Sequence, residues 1–304
     1  VALGDFEMKN QSEKTNENVE NEQKVAVVTG SSSGIGYATV LRLARTGYFT
    51  FATMRNPAKG IDLIKVAEDE KLPIQVEKLD VTDPDSIKDF MKRIGESAGR
   101  IDILVNNAGY FLMGSLEDLS MKEIQDQLDT NLLGTIRVTQ QVLPVMRAQG
   151  SGLIVNVSSG VGRFGLPGIS AYVATKFALE GLSESLTYEV APFGIKVILI
   201  EPGVVKTKIK DNSVVGQGAL REDSPYSDML GSLNATFNAL WKNASTSDLV
   251  AETILQAISS PEPKLRYPVG QDVLTWLEKK TAMTDEQFQE YMKNSMAGLA
   301  PSQR

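Results

Sequence analysis

Cysteine and histidine are both absent from this chain. Without thiols there is no disulfide framework and no thiolate nucleophile, and the compartment stays open. Without imidazole, the commonest general base and the commonest zinc ligand are missing together. Any acid/base chemistry therefore falls to Tyr, Lys, Asp or Glu. Long apolar runs are lacking too: none approaches the roughly 20 residues that a membrane span needs. Residues Val1 to Gln23 are polar, rich in Glu, Asn and Lys, and have no apolar centre of the kind a secretory signal carries. They are expected to form a disordered arm, and the protein is expected to be cytoplasmic. On that reading the sequons Asn10-Gln-Ser12 and Asn234-Ala-Thr236 are accidental. Basic residues are outnumbered, 31 Lys plus Arg against 38 Asp plus Glu, for a formal net charge of −7. That balance argues against nucleic acid as a partner. It leaves room for a locally positive pocket that holds one small anion.

With 304 residues, 42% of them hydrophobic, the chain can bury one large core. From Lys24 onward, short apolar, β-branched runs alternate with helical stretches. The runs are Val25–Thr29, Phe49–Met54, Ile74–Leu79, Ile101–Val105, Leu153–Val157, Lys196–Ile200 and Leu265–Val269. Helices are expected after Gly36, over Ile61–Glu70, Pro84–Gly95, Met121–Ala148 and Ala171–Val190. Buried strands alternating with helices predict an α/β fold, a doubly wound parallel sheet of about seven strands covered on both faces. One domain over 24–270 is expected, with 271–304 as a helical extension. After Ile200 the alternation breaks. Lys206–Ser224 reads as a mobile loop, Asp228–Trp241 and Ser247–Ile258 as helices, and Asp285–Met296 as a terminal helix opened by the capping signal Thr284-Asp-Glu-Gln287. Residues 206–245 are the expected substrate loop or lid, because parallel sheets bind ligands at the C-terminal ends of their strands.

Two constellations carry chemistry. The first strand runs straight into Gly30-Ser-Ser-Ser-Gly34-Ile-Gly36, where a helix opens. Such a turn lets backbone N–H groups approach a pyrophosphate at a positive helix terminus. Its spacing, Gly-x-x-x-Gly-x-Gly, departs from the common Gly-x-Gly-x-x-Gly fingerprint. The second is Ser159 to Lys176. If a helix begins near Ser170, Tyr172 and Lys176 stand at i and i+4 on one face, and a phenol beside a fixed positive charge loses its proton more easily. With 8 Tyr in the chain, that pair alone is as readily an aromatic anchor and a solvated lysine.

The turn Thr29-Gly-Ser-Ser-Ser-Gly-Ile-Gly36 resembles that of the short-chain dehydrogenase/reductase family, and further elements follow in order. Asn106-Asn-Ala-Gly109 is similar to the family's Asn-Asn-Ala-Gly element, and Asp80-Val81 to its adenine-contacting pair. Asn131 sits where the family places a catalytic Asn. Ile154-Val-Asn-Val-Ser-Ser159 and Tyr172-x-x-x-Lys176 match its active-site Ser and Tyr/Lys, and Pro202-Gly203 with Thr207 its nicotinamide-side turn. The resemblance covers roughly Lys24 to Thr207. The family's separation of thirteen residues before the Tyr selects Ser159 as the catalytic hydroxyl, with Ser158 in a supporting or structural role.

The resemblance implies catalytic Asn131, Ser159, Tyr172 and Lys176. It implies a cofactor site built from Gly30, Ser32, Ser33, Gly34, Ile35, Gly36, Arg55, Asp80, Val81, Asn107, Ala108, Gly109, Tyr172, Lys176, Pro202, Gly203, Val205 and Thr207. The acid that binds an adenosine ribose normally stands at the end of the second strand, about 20 residues past the glycines. Here the chain reads Ala52-Thr-Met54-Arg55, with no acid. Arg55 can pair with a 2′-phosphate that an Asp would repel. NADP(H) is therefore expected over NAD(H), with Ser31 to Ser33 as helpers, and Met54→Asp is the expected switch toward NAD(H).

By the same resemblance, hydride passes between nicotinamide and a carbonyl or carbinol carbon. Tyr172 is the acid/base, its pKa brought down from about 10 toward working pH by the positive charge of Lys176 and of the oxidised nicotinamide. Ser159 stabilises charge on the substrate oxygen, Lys176 orients the nicotinamide ribose, and Asn131 holds a water. Lacking His and Cys, the chain has no ligands for zinc-dependent alcohol dehydrogenase chemistry and no thiol for aldehyde oxidation, and this family needs neither. The segment Tyr172–Leu186 with Thr53-Met-Arg55 looks most like hydroxysteroid and retinol dehydrogenases. Tyr110 to Met113, Phe164, Leu166 and the Met229–Trp241 helix are candidates to line an apolar cleft. A lipophilic ketone or secondary alcohol is the expected substrate, a 3-oxoacyl thioester the alternative. A non-catalytic NADPH sensor is a further reading from another class, and a nucleotide-sugar epimerase or dehydratase one from the same fold. The resemblance alone implies a homodimer or homotetramer, joined through the helices Met121–Ala148 and Ala171–Val190.

Overall fold

The computed structural model describes residues 23–207 and 213–295. The expected N-terminal arm, apart from Gln23, lies outside them, as does the middle of the expected loop, 208–212. All seven predicted runs form strands: β1 Val25–Thr29, β2 Phe49–Met54, β3 Ile74–Lys78, β4 Ile103–Asn106, β6 Gly152–Val157, β7 Ile195–Pro202 and β11 Arg266–Val269. They join one parallel sheet in the order β11-β7-β6-β4-β1-β2-β3. Between them come α1 Gly34–Arg45, α2 Ile61–Glu70, α3 Pro84–Ser97, α4 Met121–Leu128, α5 Gly134–Gln149 and α6 Ser170–Val190. After β7 follow α7 Ser227–Trp241, α8 Ser247–Ser259, α9 Gln271–Ala282 and α10 Asp285–Ser295. Two-residue strands β8 Val205–Lys206 and β10 Ser245–Thr246 pair on the edge of this segment.

The strands read as unbroken apolar runs because both faces of the sheet are covered. Successive side chains alternate between two cores. Ala26, Val28, Val105, Val155 and Ile200 pack with Leu43 of α1 and Ile254 of α8. Val25, Val27, Leu104, Ile154 and Val197 pack with Phe90 of α3, Val142 of α5 and Leu186 of α6. Strand order reverses direction about β1 and β4, whose C-terminal turns therefore part to leave a crevice. Thr29 fixes those turns together: its hydroxyl accepts from the backbone N–H groups of Asn107 and Ala108, each at 3.0 Å.

Two features differ from expectation. The helix predicted over 121–148 is interrupted by a π turn at Asp129–Leu133. That extra residue brings the Asn131 side chain onto the backbone of Tyr110, and Gly134 packs so closely that a Cβ would lie 2.7 Å from Val81 Cγ2. Within the expected loop, β9 Ser213–Val215 pairs in parallel with β5 Phe111–Met113, so this part is tied to the rim of the cleft. The C-terminal extension begins with α9, whose Asp272 accepts the Val204 N–H at 2.7 Å. The capping signal of α10 forms as predicted, with Thr284 and Gln287 exchanging side-chain and backbone hydrogen bonds of 3.0 and 3.3 Å.

Candidate active site

One cleft of about 1410 Å³ lies over the C-terminal ends of β1, β4, β6 and β7. A single drug-sized ligand occupies some 300–1,000 Å³, so the volume accommodates a dinucleotide and a substrate side by side. Gly30, Ser32, Ser33, Gly34 and Ile35 form one end. Gly30 and Gly34 have φ of +67° and +60°, the left-handed region in which side chains are strained. Gly36 lies under the turn, where a Cβ would stand 2.6 Å from both the Gly30 carbonyl oxygen and Asn107 Nδ2. Helix α1 opens here with no side-chain cap and no acid in its first turn. Its first N–H groups and positive terminus are thus left for an anion. These residues fit a pyrophosphate.

The remaining predicted cofactor residues converge on the same cleft: Arg55, Asp80, Val81, Asn107, Ala108, Gly109, Pro202, Gly203, Val205 and Thr207 all line it. Their roles divide. Asn107 commits its amide to the carbonyls of Thr29 and Gly30, at 2.9 and 3.1 Å, and so holds the crevice open. Asp80 lines the cleft and uses one carboxylate oxygen on the Thr82 N–H and hydroxyl. Arg55 is exposed on the rim and forms no ion pair among the described residues. Ser31 does not join Ser32 and Ser33. It is fully buried and donates to the Thr53 carbonyl at 3.0 Å. Met54, only 3% exposed, is a poor position for an introduced carboxylate, so a test of cofactor choice belongs at Arg55.

Ser159, Tyr172 and Lys176 meet at the floor. Ser159 follows β6, where its hydroxyl donates to the Pro202 carbonyl at 3.3 Å and hydrogen-bonds the Tyr172 phenol. Tyr172 lies in the first turn of α6, its ring edge-on to Phe111 with centroids 5.0 Å apart. Lys176, one turn later, donates to the Val157 carbonyl at 2.9 Å, and its ammonium stands 5.7 Å from the Tyr172 ring centroid. Asn131 is buried nearby but outside the cleft lining. Its amide accepts from Tyr110 N–H at 3.0 Å and donates to Tyr110 C=O at 2.9 Å, so it braces the loop after Gly109.

In the protein by itself burial dominates the electrostatics. Burial pushes the Tyr172 phenol up to about 12, offset in part by Ser159. Burial likewise brings Lys176 down to about 8, against the opposing charge of Glu180. Desolvation disfavours both charged forms and outweighs the pairing that sequence spacing suggests. In the protein by itself Tyr172 is therefore a phenol at neutral pH, ready to give a proton.

Beyond this floor one wall of the cleft is largely apolar, with Asn234 and Asn238 beside it. Tyr110 to Met113, Phe164 and Leu166 line it as anticipated, joined by Phe237 and Trp241 of α7. Val273 and Trp276 of α9 complete the wall, and neither was anticipated. Their only sequence signal is helical apolar spacing far from any motif. Among the described residues no helix is long and apolar enough to cross a membrane.

Residues 24–217 match the family model described as short chain dehydrogenase. The chain belongs to the short-chain dehydrogenases. Among its relatives in this family is the uncharacterized oxidoreductase YusZ of Bacillus subtilis, 40% identical over 255 residues that span 83% of this chain and 90% of the relative. The mouse 17-beta-hydroxysteroid dehydrogenase type 1 is 36% identical over 251 residues, 80% of this chain and 72% of its own. A solved alcohol dehydrogenase of Thermococcus sibiricus, in complex with 5-hydroxy-NADP, superposes with a TM-score of 0.68 at 26% identity, covering 82% of this chain and 97% of that one. The short-chain dehydrogenase fold and the oxidoreductase class of this protein follow.

Proposed function

We propose that this short-chain dehydrogenase is an NADP(H)-dependent oxidoreductase acting on a lipophilic ketone or secondary alcohol. The observation that carries the proposal is the meeting of Ser159, Tyr172 and Lys176 beside the uncapped turn that opens α1, at the foot of an aromatic-walled cleft. The turn Gly30–Ile35, with Asn107, Pro202 and Thr207 on the same cleft, would hold the dinucleotide, whose nicotinamide would supply or accept the hydride. Tyr172 gives or takes the proton at its phenol oxygen. Ser159 donates to the substrate oxygen and stabilises charge there, and Lys176, as an ammonium, favours the ionised phenol. Arg55, exposed just after β2, would pair with a 2′-phosphate, and β2 itself ends without the acid that would repel one. Phe111, Phe164, Phe237, Trp241 and Trp276 exclude water and offer flat apolar surface, which suits a steroid, retinoid or long-chain carbonyl compound. Exposed Phe177 and Tyr188 on α6 are the expected contacts of a homodimer or homotetramer.

The test follows NADPH oxidation against steroid, retinal, medium-chain ketone and acetoacetyl-thioester panels. Turnover of at least one apolar carbonyl is expected, with NADH a poorer donor. Tyr172→Phe is expected to keep NADPH binding and lose turnover by about 10²-fold or more, the range a positioned acid contributes. Substantial residual turnover in that variant, or NADPH binding without turnover across every panel, would overturn the reading.

A further inference from the structure

Five charged side chains that the proposed reaction does not use gather around α6. Glu180, 4% exposed, sits one turn beyond Lys176, and Glu201, 1% exposed, precedes Pro202 on β7. Arg266 of β11 donates to Glu180 at 2.9 Å and to Glu184 at 2.6 Å, and lies 3.5 Å from Glu201. Arg163, in the segment after Ser159, pairs with Glu201 at 3.1 Å. The cluster thus ties together α6, the turn after β6, the end of β7 and β11. Replacing such a buried ionic group by hydrophobic residues is often neutral or stabilising, so packing alone does not account for it.

Two details point toward the catalytic floor. Glu180 Oε1 and Ser158 Oγ are buried without hydrogen-bond partners among the described residues. Both border Gly162, where a Cβ would lie 2.9 Å from Glu180 Cγ and from Ser158 Oγ and 3.2 Å from the Lys176 carbonyl oxygen. The missing side chain lets Glu180 press against the turn that carries Ser158 and Ser159. Lys176 itself is 8% exposed and has no salt-bridge partner among the described residues.

We propose that Glu180 is a positioning residue for the reaction: its buried carboxylate, clamped by Arg266, supplies the counter-charge that keeps Lys176 an ammonium beside Tyr172. The charge of Glu180 raises Lys176 where burial lowers it. Glu201, across the cluster, is pushed upward by its own burial and then by Glu180. The other charged or titratable groups on this cluster are Tyr172 and Glu184 on α6, Arg163 after β6, and Arg266 on β11. The inference rests on Lys176 acting as an ammonium in the proposed function.

The experiment compares wild type, Glu180→Gln and Glu180→Asp. Lysine ¹³Cε resonances are titrated in the cofactor-free protein, with Lys176 assigned by its loss in Lys176→Met. The Gln variant keeps an acceptor for Arg266 and loses the charge. The Lys176 midpoint is expected to fall by about one pH unit in Glu180→Gln and to stay near wild type in Glu180→Asp. With the carbonyl substrate that turns over, the alkaline limb of kcat is expected to move lower by the same interval, with KM unchanged and kcat recovered in acid. A titration of Lys176 unmoved in Glu180→Gln, a kcat loss equal at every pH, or an Asp variant as low as Gln would overturn the proposal. If the Gln protein does not fold, an Asp variant that titrates well below wild type overturns it as well. A Tyr172→Phe protein that still turns over overturns the catalytic reading, and the positioning role with it, even where the Lys176 titration moves.

Discussion

Lys176→Met tests the burial that sets the catalytic ionisations. In the folded protein Lys176 titrates at about 8, against an ordinary value of 10.5, and the first cause is desolvation. At about 1.4 kcal/mol per pH unit, that gap corresponds to roughly 3 kcal/mol. Its sign follows from proton binding. Between the two values the unfolded chain holds a proton that the folded protein has released, so this group's contribution rises with pH. It is complete above the unfolded value and is lost as pH falls through the folded one. Tyr172, raised from 10.0 to about 12, works the other way, and its contribution disappears as pH climbs through that interval. Lys176→Met leaves Tyr172 and every carboxylate in place, so the difference between the two proteins isolates the lysine. Urea unfolding of the cofactor-free proteins, followed by fluorescence of Trp241 and Trp276, reads that difference. Moving from near pH 7 to about pH 10 is expected to shift it by roughly 2 kcal/mol in favour of wild type. Parallel stability curves across this interval would show that Lys176 is solvated, and the electrostatic account of the site would fail.

Two further outcomes follow from the cofactor end. Gly36→Ala puts a Cβ 2.6 Å from the Gly30 carbonyl oxygen and 2.9 Å from Ser31 Cα, neither of which can yield. A loss of about 1–3 kcal/mol in thermal or urea denaturation is expected, with NADPH affinity down at least tenfold; an unchanged Tm and Kd would show that the turn has slack. Arg55→Ala, at an exposed position that costs little stability, is expected to weaken NADPH binding by about tenfold or more while leaving NADH binding as it was. Equal effects on both cofactors in a binding titration would remove Arg55 as the phosphate reader.

The sheet was legible because each strand is apolar on both faces. Val25 to Val28 face two different cores in alternation, and no polar residue interrupts the run. The cofactor turns were legible for a related reason. Their chemistry depends on backbone approach, which demands glycine at short, fixed spacing, and Gly30, Gly34 and Gly36 lie within seven residues. Groups that act through distant partners left no such trace. Resemblance singled out Asn131, but its amide turns to Tyr110, 21 residues away, through a π turn that no periodicity announces. Asp272 reaches across 68 residues to the Val204 N–H, fixing the turn after β7 from the C-terminal extension. Trp276, four residues on, enters the substrate wall from the same helix. The extension therefore braces the site as well as covering it. The pKa shifts of the protein by itself were not legible either, for a physical reason. Spacing reveals which charges are neighbours, whereas desolvation depends on everything that covers them.

The burial of Tyr172 bears on how the proposed chemistry starts. Had Lys176 alone determined Tyr172, the phenol would be partly ionised near neutral pH and ready to act as a base. With Tyr172 at about 12, reaching the phenolate at neutral pH costs roughly 7 kcal/mol. Most of that must be offset by positive charge brought close to the ring. Reduction starts from the phenol, which already carries the proton that the substrate oxygen takes up, and needs the Lys176 charge only for the phenolate left behind. On the proposed mechanism, then, the oxidative direction depends on Lys176 staying charged much more steeply than the reductive one. A pH series run in both directions should show an oxidation rate that climbs in alkali only until Lys176 deprotonates. The reduction rate should hold level through neutrality and fall only where Lys176 does.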